Sequence, residues 1–378
     1  MINKLLILSI VILLVGGLTA GCTGLGGQPR GWSGVVVADD ALFLGSMEGK
    51  LISLSGSSGA QLWSATLESQ RPAGGFGCAP TSTAAAVYGT PVVSGDLVYV
   101  AGYSGKLQAF NVSNGFQQWM YPPGEDDYLK EPIVGGPVVS QGKVYFGCSD
   151  GKVYALNAAT GVPEWDSPFQ TGDKIWSTPA IDGDTLYIGS FDKKLYAIDA
   201  TTGKEKWEKP FETQGAIAGT PLVYDNTVYI GSFDRYLYAV AAADGSLRWR
   251  SEFEAGSWFW AKPVITNNTV YAPCLDGKVY VLDAENGAKI TDFDLGSPVS
   301  SSPVLIENTV VIAANEGEVY NLNTGTNQID LLADLEAEIS APLYASEGIV
   351  YVHTQEDETV YALNTKTGAR LWSVPLTD

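Results

Sequence analysis

The chain is 378 residues long and sets 42 acidic side chains against 22 basic ones and a single histidine, a formal charge of −20. A surface this acidic repels phosphate backbones and anionic headgroups, which argues against nucleic acid as a partner. The length would ordinarily suggest more than one domain, but an internal repeat accounts for nearly all of it.

In chain order, residues 1–21 stand apart from the rest. Lys4 is the one positive charge of a short head, residues 5–15 are an apolar run too short to cross a bilayer comfortably as a helix, and the segment ends Leu18-Thr19-Ala20-Gly21-Cys22. Small residues directly before a cysteine look like the lipobox of a bacterial lipoprotein, in which the thiol is diacylglycerated and the peptide is cut on its N-terminal side. Cys22 is the expected lipidation site, although Thr19 stands where leucine is usual. An ordinary signal peptide with an incidental cysteine is the competing reading. Thr23 is not the aspartate that resembles an inner-membrane retention signal. The expected destination is therefore the periplasmic face of the outer membrane if the cell has two membranes, and otherwise the outer face of the cytoplasmic membrane. Residues 22–31, rich in glycine, read as a lipidated tether.

From residue 32 to residue 378 one unit recurs, clearest as Ser177 to Trp207. Its apolar runs at 179–181, 186–189 and 195–198 and a fourth ending at Trp207 are separated by Asp182-Gly183-Asp184, Asp192-Lys193-Lys194 and Thr201-Thr202-Gly203, the turn chemistry of a four-stranded meander. A Gly-x-x-x-Trp spacing marks six copies, at Gly59/Trp63, Gly115/Trp119, Gly161/Trp165, Gly203/Trp207, Gly245/Trp249 and Gly368/Trp372, and Gly287 with Thr291 and Gly325 with Ile329 supply two degenerate ones. The glycine-to-glycine steps run 56, 46, 42, 42, 42, 38 and 43 residues, the range of a propeller blade. A second anchor, small residues and then usually proline entering each first strand, also gives eight, from Trp32-Ser33-Gly34 to Ile339-Ser340-Ala341-Pro342. The expected fold is an all-β, eight-bladed propeller of four-stranded antiparallel blades. Because Trp32 opens a first strand and Trp372 lies in a fourth, each blade should be complete from contiguous chain, with the ring closed by side-chain packing.

Two insertions, at 68–86 and 121–131, link fourth strands to following first strands, on the face that also bears the turns between second and third strands. At this mouth Trp32, Tyr88, Trp176 and Trp260 occupy one equivalent position, joined by Trp258 and Phe259. Each is either packing against a neighbouring blade or part of a rim for a partner. Phe191 and Phe233 in the second-to-third turns, with Met47, Tyr103 and Leu275, and Arg235 and Lys262 as rare positive charges, complete the candidate partner-binding surface. Trp63, Trp119, Trp165, Trp207, Trp249 and Trp372 read instead as structural residues that dock adjacent blades. A ring of turn acids, Glu48, Asp150, Asp192, Asp234, Asp276, Glu316 and Glu356, is expected to cap turns, with cation binding as the alternative. Cys148 and Cys274 hold the same repeat position three blades apart and should not meet, while Cys78 lies in the first insertion. His353 stands alone where sister blades have glycine.

Ala197, Asp199, Thr202, Gly203 and Trp207 match the A-x-D-x-x-T-G-x-x-x-W motif of pyrroloquinoline-quinone-like eight-bladed propellers as they stand, and the resemblance covers residues 32–378. Two branches share it: quinoprotein dehydrogenases, and the BamB lipoproteins of outer-membrane protein assembly. The dehydrogenase resemblance implies a calcium site, a catalytic aspartate and often vicinal cysteines; the sequence has no Cys-Cys pair and no Cys-x-x-Cys-His site. The BamB resemblance implies a non-catalytic, lipid-anchored, monomeric scaffold with no cofactor and no metal, binding an envelope assembly subunit or client polypeptide. A cell-surface propeller that binds sugars or peptides is the alternative, since the motif specifies a fold and not a function.

Overall fold

The computed structural model describes residues 33–68, 86–124 and 128–376; Cys22, Trp32 and Cys78, with the leader and tether, lie outside them. Among the described residues 32 strands form eight antiparallel sheets of four, each made of strands consecutive in the chain. Both repeat anchors therefore count the blades correctly.

In the fourth blade the strands are Ala180–Asp182, Thr185–Gly189, Lys194–Asp199 and Phe211–Glu212. Leu186 pairs with Ile198 and Tyr187 with Ala197, and successive side chains point to opposite faces. Leu186, Ile188, Tyr196 and Ile198 accordingly pack with Tyr145, Val153 and Trp165 of the preceding blade. Tyr187, Leu195 and Ala197 pack with Val228, Ile230 and Tyr238 of the following one. Burial on both faces is why the second and third strands are apolar throughout instead of alternating. The core is thus a ring of wedges between blades, and the last wedge joins Leu42, Leu44 and Leu54 to Tyr351, Val360 and Ala362. First strands of neighbouring blades lie against one another around the axis. Outer strands such as Gln61–Thr66 and Arg370–Pro375 leave alternate side chains in solvent.

The repeat motif works across blades. Trp119 Nε1 donates to Ala158 O at 3.0 Å, Trp165 to Ala200 O at 3.1 Å, Trp207 to Ala242 O at 3.0 Å and Trp249 to Ala284 O at 2.9 Å, in each case a carbonyl of the next blade. Trp63 reaches Val112 O in the same way, at 2.9 Å. A second-strand tyrosine shares each of four of these carbonyls: Tyr99, Tyr145, Tyr187 and Tyr229 donate to Ala158, Ala200, Ala242 and Ala284. The motif glycine serves the same joint. Gly203 has φ +70°, and a Cβ there would come within 2.6 Å of the Trp165 ring. Glycine is required both for the left-handed turn and for the approach of the preceding blade's indole.

Two local expectations are corrected. In the third and fourth blades the outer strand does not run through the tryptophan: Ile198 makes only an isolated bridge to Glu205, and regular pairing resumes at Phe211 and Glu212. Pro168 and Pro210, which precede the resumed strands, have no N–H for the ladder. In the seventh blade the turn residue is Asn327 rather than Gly325. Asn327 takes φ +51° and its N–H bonds Asn323 O at 2.9 Å, as Gly203 N bonds Asp199 O in the fourth blade at 2.8 Å.

The ring closes between the eighth and first blades with no strand exchanged among the described residues. Trp372 Nε1 donates to Gly56 O at 2.9 Å, the Met47 N–H donates to the Glu358 carboxylate, and His353 Nδ1 lies 2.8 Å from Ser33 O. A carbonyl only accepts, so Nδ1 carries the proton. The other nitrogen, Nε2, is buried without a partner among the described residues, and burial pushes the imidazole's pKa down.

Candidate functional site

The segments that enter the eight first strands ring one mouth of the central channel. Aligned by their strands, they place one residue of each blade in a collar: Gly34, Thr90, Gly136, Thr178, Thr220, Lys262, Ser302 and Pro342. The collar is stitched blade to blade, with Gly34 N donating to Thr90 Oγ1 at 3.2 Å, Gly136 N to Thr178 Oγ1 at 2.8 Å and Lys262 N to Ser302 Oγ at 3.0 Å. It surrounds a cavity of about 80 Å³, whose walls also include Tyr88, Trp176 and Trp260 and, among the described residues, contain no aspartate or glutamate.

Outside the collar, the aromatic residues of the fourth to sixth blades form a continuous arc. Trp176 meets Phe191 edge-on at 4.6 Å between ring centroids, and Phe191 meets Phe233 at 5.8 Å. Phe233 stacks on Trp258 at 4.4 Å and on Trp260 at 5.7 Å, and Trp260 in turn meets Trp176 at 6.3 Å. All five are half-buried. Lys174 extends the arc, its ammonium 4.5 Å from the centroids of both Trp176 and Phe191. Arg235 is exposed beside it, ion-paired with Glu254. Tyr88 lies against Tyr103 at 5.0 Å, and burial raises its hydroxyl pKa.

Phe259 does not belong to the rim. It is 1 % exposed and lies in the core between the fifth and sixth blades with Tyr280 and Cys274. Its position in the repeat is that of Ile175 and Ile217, both fully buried, and alternation turns it inward between Trp258 and Trp260. Trp32 lies outside the described residues. Lys174 was missed by the sequence reading; its signal is that it holds the repeat position of Trp258, two residues before the mouth aromatic.

Of the turn acids, Asp150, Asp192, Asp234 and Asp276 are engaged in their own turns. Asp192 accepts Lys194 N at 3.1 Å, the Tyr196 hydroxyl, and Gly172 N at 2.7 Å from the neighbouring link; Asp234 and Asp276 repeat the pattern. In the eighth blade, which has one extra residue, Asp357 rather than Glu356 meets the tyrosine, Tyr361. Among the described residues no three acids, histidines or cysteines gather as metal ligands. Cys148 and Cys274 are free and buried, each thiol against backbone carbonyls and pushed up in pKa by burial.

The described stems of the two insertions converge on Lys106. Its fully buried ammonium lies 3.1 Å from Glu68, 2.7 Å from Gly124 O and 4.5 Å from the centre of the Tyr128 ring. One cation thus ties both links to the same face as the mouth.

Fold and mouth together define an eight-bladed propeller of the pyrroloquinoline-quinone-like repeat class. The chain belongs to the family described as outer membrane protein assembly factor BamB, whose model matches residues 23–177, 165–298 and 275–377. Among solved structures it is similar to BamB from Moraxella catarrhalis, with 21% identity, a TM-score of 0.68 and coverage of 85% of this chain and 90% of that one. The computationally designed Ika8 protein is similar at 18% identity and TM-score 0.70, over 89% and 97% of the two chains. A quinohemoprotein alcohol dehydrogenase from Comamonas testosteroni is similar at 15% identity and TM-score 0.69, over 88% and 70%. No curated sequence matches the chain. At these identities the structural likenesses establish the fold.

Proposed function

We propose that the protein is a non-catalytic scaffold of the cell envelope, exported, anchored by lipid at Cys22 and monomeric, that holds a protein partner on its mouth face. The observation that carries this reading is the aromatic arc of Trp176, Phe191, Phe233, Trp258 and Trp260, continuous over three blades, half-exposed and flanked by Lys174 and Arg235. Large aromatics bordered by cations on a rigid scaffold are the composition of a protein-binding hot spot. Membership of the BamB family supports an outer-membrane assembly subunit or its client as the partner. A detergent pull-down of the native protein and of a Trp258→Ala/Trp260→Ala variant from its own membranes tests it. Capture of such a subunit by the native form and its loss with the variant is the expected result; equal capture by both would remove the arc from the reading. Lipid mass on the N-terminal peptide tests the anchor.

The likeness to a quinohemoprotein dehydrogenase raises the question of a quinone cofactor with calcium. The residues present do not fit one. Among the described residues the mouth cavity of about 80 Å³ lacks the carboxylates a calcium ion would need, and cofactor pockets are roughly 300–1,000 Å³. A rise in melting temperature on adding quinone and calcium would reverse this assignment.

A further inference from the structure

The collar has a chemistry that the propeller fold does not need. Among the described residues its cavity is walled by one cation and no carboxylate, in a chain with 42 acids against 22 bases. The Lys262 ammonium has no ion pair or hydrogen bond among the described residues, and it is half-buried. Burial lowers its pKa, so a counter-charge brought into the mouth would stabilise the ammonium. The hydroxyls around it are set as donors. Thr90, Thr178 and Ser302 each accept a backbone N–H through the side-chain oxygen, which leaves the hydroxyl proton to be given, and among the described residues none has an acceptor. An ammonium and hydroxyl protons lining one cavity, with no carboxylate among its described walls, have the chemistry of an anion site.

Size and surroundings narrow the anion. A cavity of about 80 Å³ takes a carboxylate head and a water or two but no ring system. Trp176 and Trp260 stand in its wall, their centroids 6.3 Å apart, and continue into the arc. We propose that the collar binds a single carboxylate at the end of an extended chain, the head between Lys262 and the hydroxyls of Thr178 and Ser302, and the stem leaving over Trp176 and Trp260. The C-terminus of a polypeptide meets this description, as does a small free acid with an apolar stem. The polypeptide is the occupant inferred, and in that respect the proposal rests on the reading of the mouth face as one that binds polypeptide.

Calorimetry on the intact protein decides it, with the tripeptide Gly-Gly-Phe as free acid, the same peptide as its C-terminal amide, and 3-phenylpropionate. The free acid should bind about tenfold or more tightly than the amide, the worth of one charge-assisted hydrogen bond. Lys262→Gln should bring the acid down to the amide's level, and Lys262→Arg should restore much of the difference. Binding of 3-phenylpropionate without the peptide would overturn the polypeptide terminus as occupant. Equal binding of acid and amide, undiminished binding by Lys262→Gln, or no binding by any probe would overturn the site itself. Partner capture by Lys262→Gln in the membrane pull-down separates the two readings: capture retained with carboxylate binding lost leaves both standing, and carboxylate binding retained while the Trp258→Ala/Trp260→Ala variant still captures fells only the arc.

Discussion

Trp372, in the last strand, donates its indole N–H to the carbonyl of Gly56, in the first blade, across 2.9 Å and 316 residues of sequence. The same bond joins Trp207 to Ala242 within the ring, across 35 residues. Local geometry is alike at the two joints; what differs is the loop that each must close. Replacing Trp207, 3 % exposed, by alanine should cost about 3–5 kcal/mol through lost burial and a cavity. Trp372→Phe keeps most of the packing and removes the hydrogen bond, and should cost about 1 kcal/mol. Urea unfolding of both variants measures the two contributions.

Two glycines that look equivalent in sequence should respond in opposite ways to alanine. At Gly203 the new Cβ would meet Trp165 at 2.6 Å with φ at +70°, so Gly203→Ala should lower stability by more than about 1 kcal/mol. Gly325 is not left-handed, and its only close neighbour is Asn323 Oδ1 at 3.4 Å. Gly325→Ala should be neutral or stabilising by up to about 1 kcal/mol, by reducing the freedom of the unfolded chain. Thermal melts of the pair check the reassignment of the seventh turn.

The turn acids make a similar contrast. Asp192 serves three donors, so Asp192→Ala should cost about 1–2 kcal/mol. Glu356 is exposed, and Glu356→Ala should stay within about 0.5 kcal/mol. Equal effects on the melting temperature would contradict this division of roles.

Acidification should weaken the seam through His353. Its folded pKa lies below the ordinary 6.5 because burial disfavours the charged ring. Between those two values the unfolded chain binds the proton and the folded one does not. The stability is therefore complete above pH 6.5 and falls as the pH drops toward the folded pKa. As the only histidine in the chain, it can be followed by its ring proton signals in NMR. They should hold the neutral shift through pH 6.5, and an ordinary titration midpoint there would refute the buried assignment.

At the rim, Phe259→Ala should cost about 3–5 kcal/mol and leave little folded protein at elevated temperature. Trp258→Ala, removing a half-buried ring, should cost less and act on partner capture. Melting temperatures beside pull-down yields separate packing from recognition.

The blade count and the all-β architecture were legible because they depend on repeated spacing: each glycine and tryptophan is set by a joint that recurs around the ring. What escaped was whatever one residue can shift. The outer strand that alternation ended at Trp207 makes only an isolated bridge there and pairs regularly only after Pro210, and an extra residue in the eighth blade moved the tyrosine's partner from Glu356 to Asp357. Asn327 took over a turn that the eye gave to Gly325. At the mouth, the reading by residue type gathered Phe259 with its neighbours, although strand alternation already pointed it inward. Lys174 was hidden because its role arises only from two rings folded under it.

Among the described residues the arc covers three of eight sectors, and the collar carries its one charge in only one of them. A ring of near-identical blades would offer any visitor eight indistinguishable ways to sit. Lys262 and the tryptophans beside it remove that degeneracy, so the molecule has a compass bearing as well as an axis. A bound chain would be fixed in azimuth, leaving the mouth always over the same neighbouring blades.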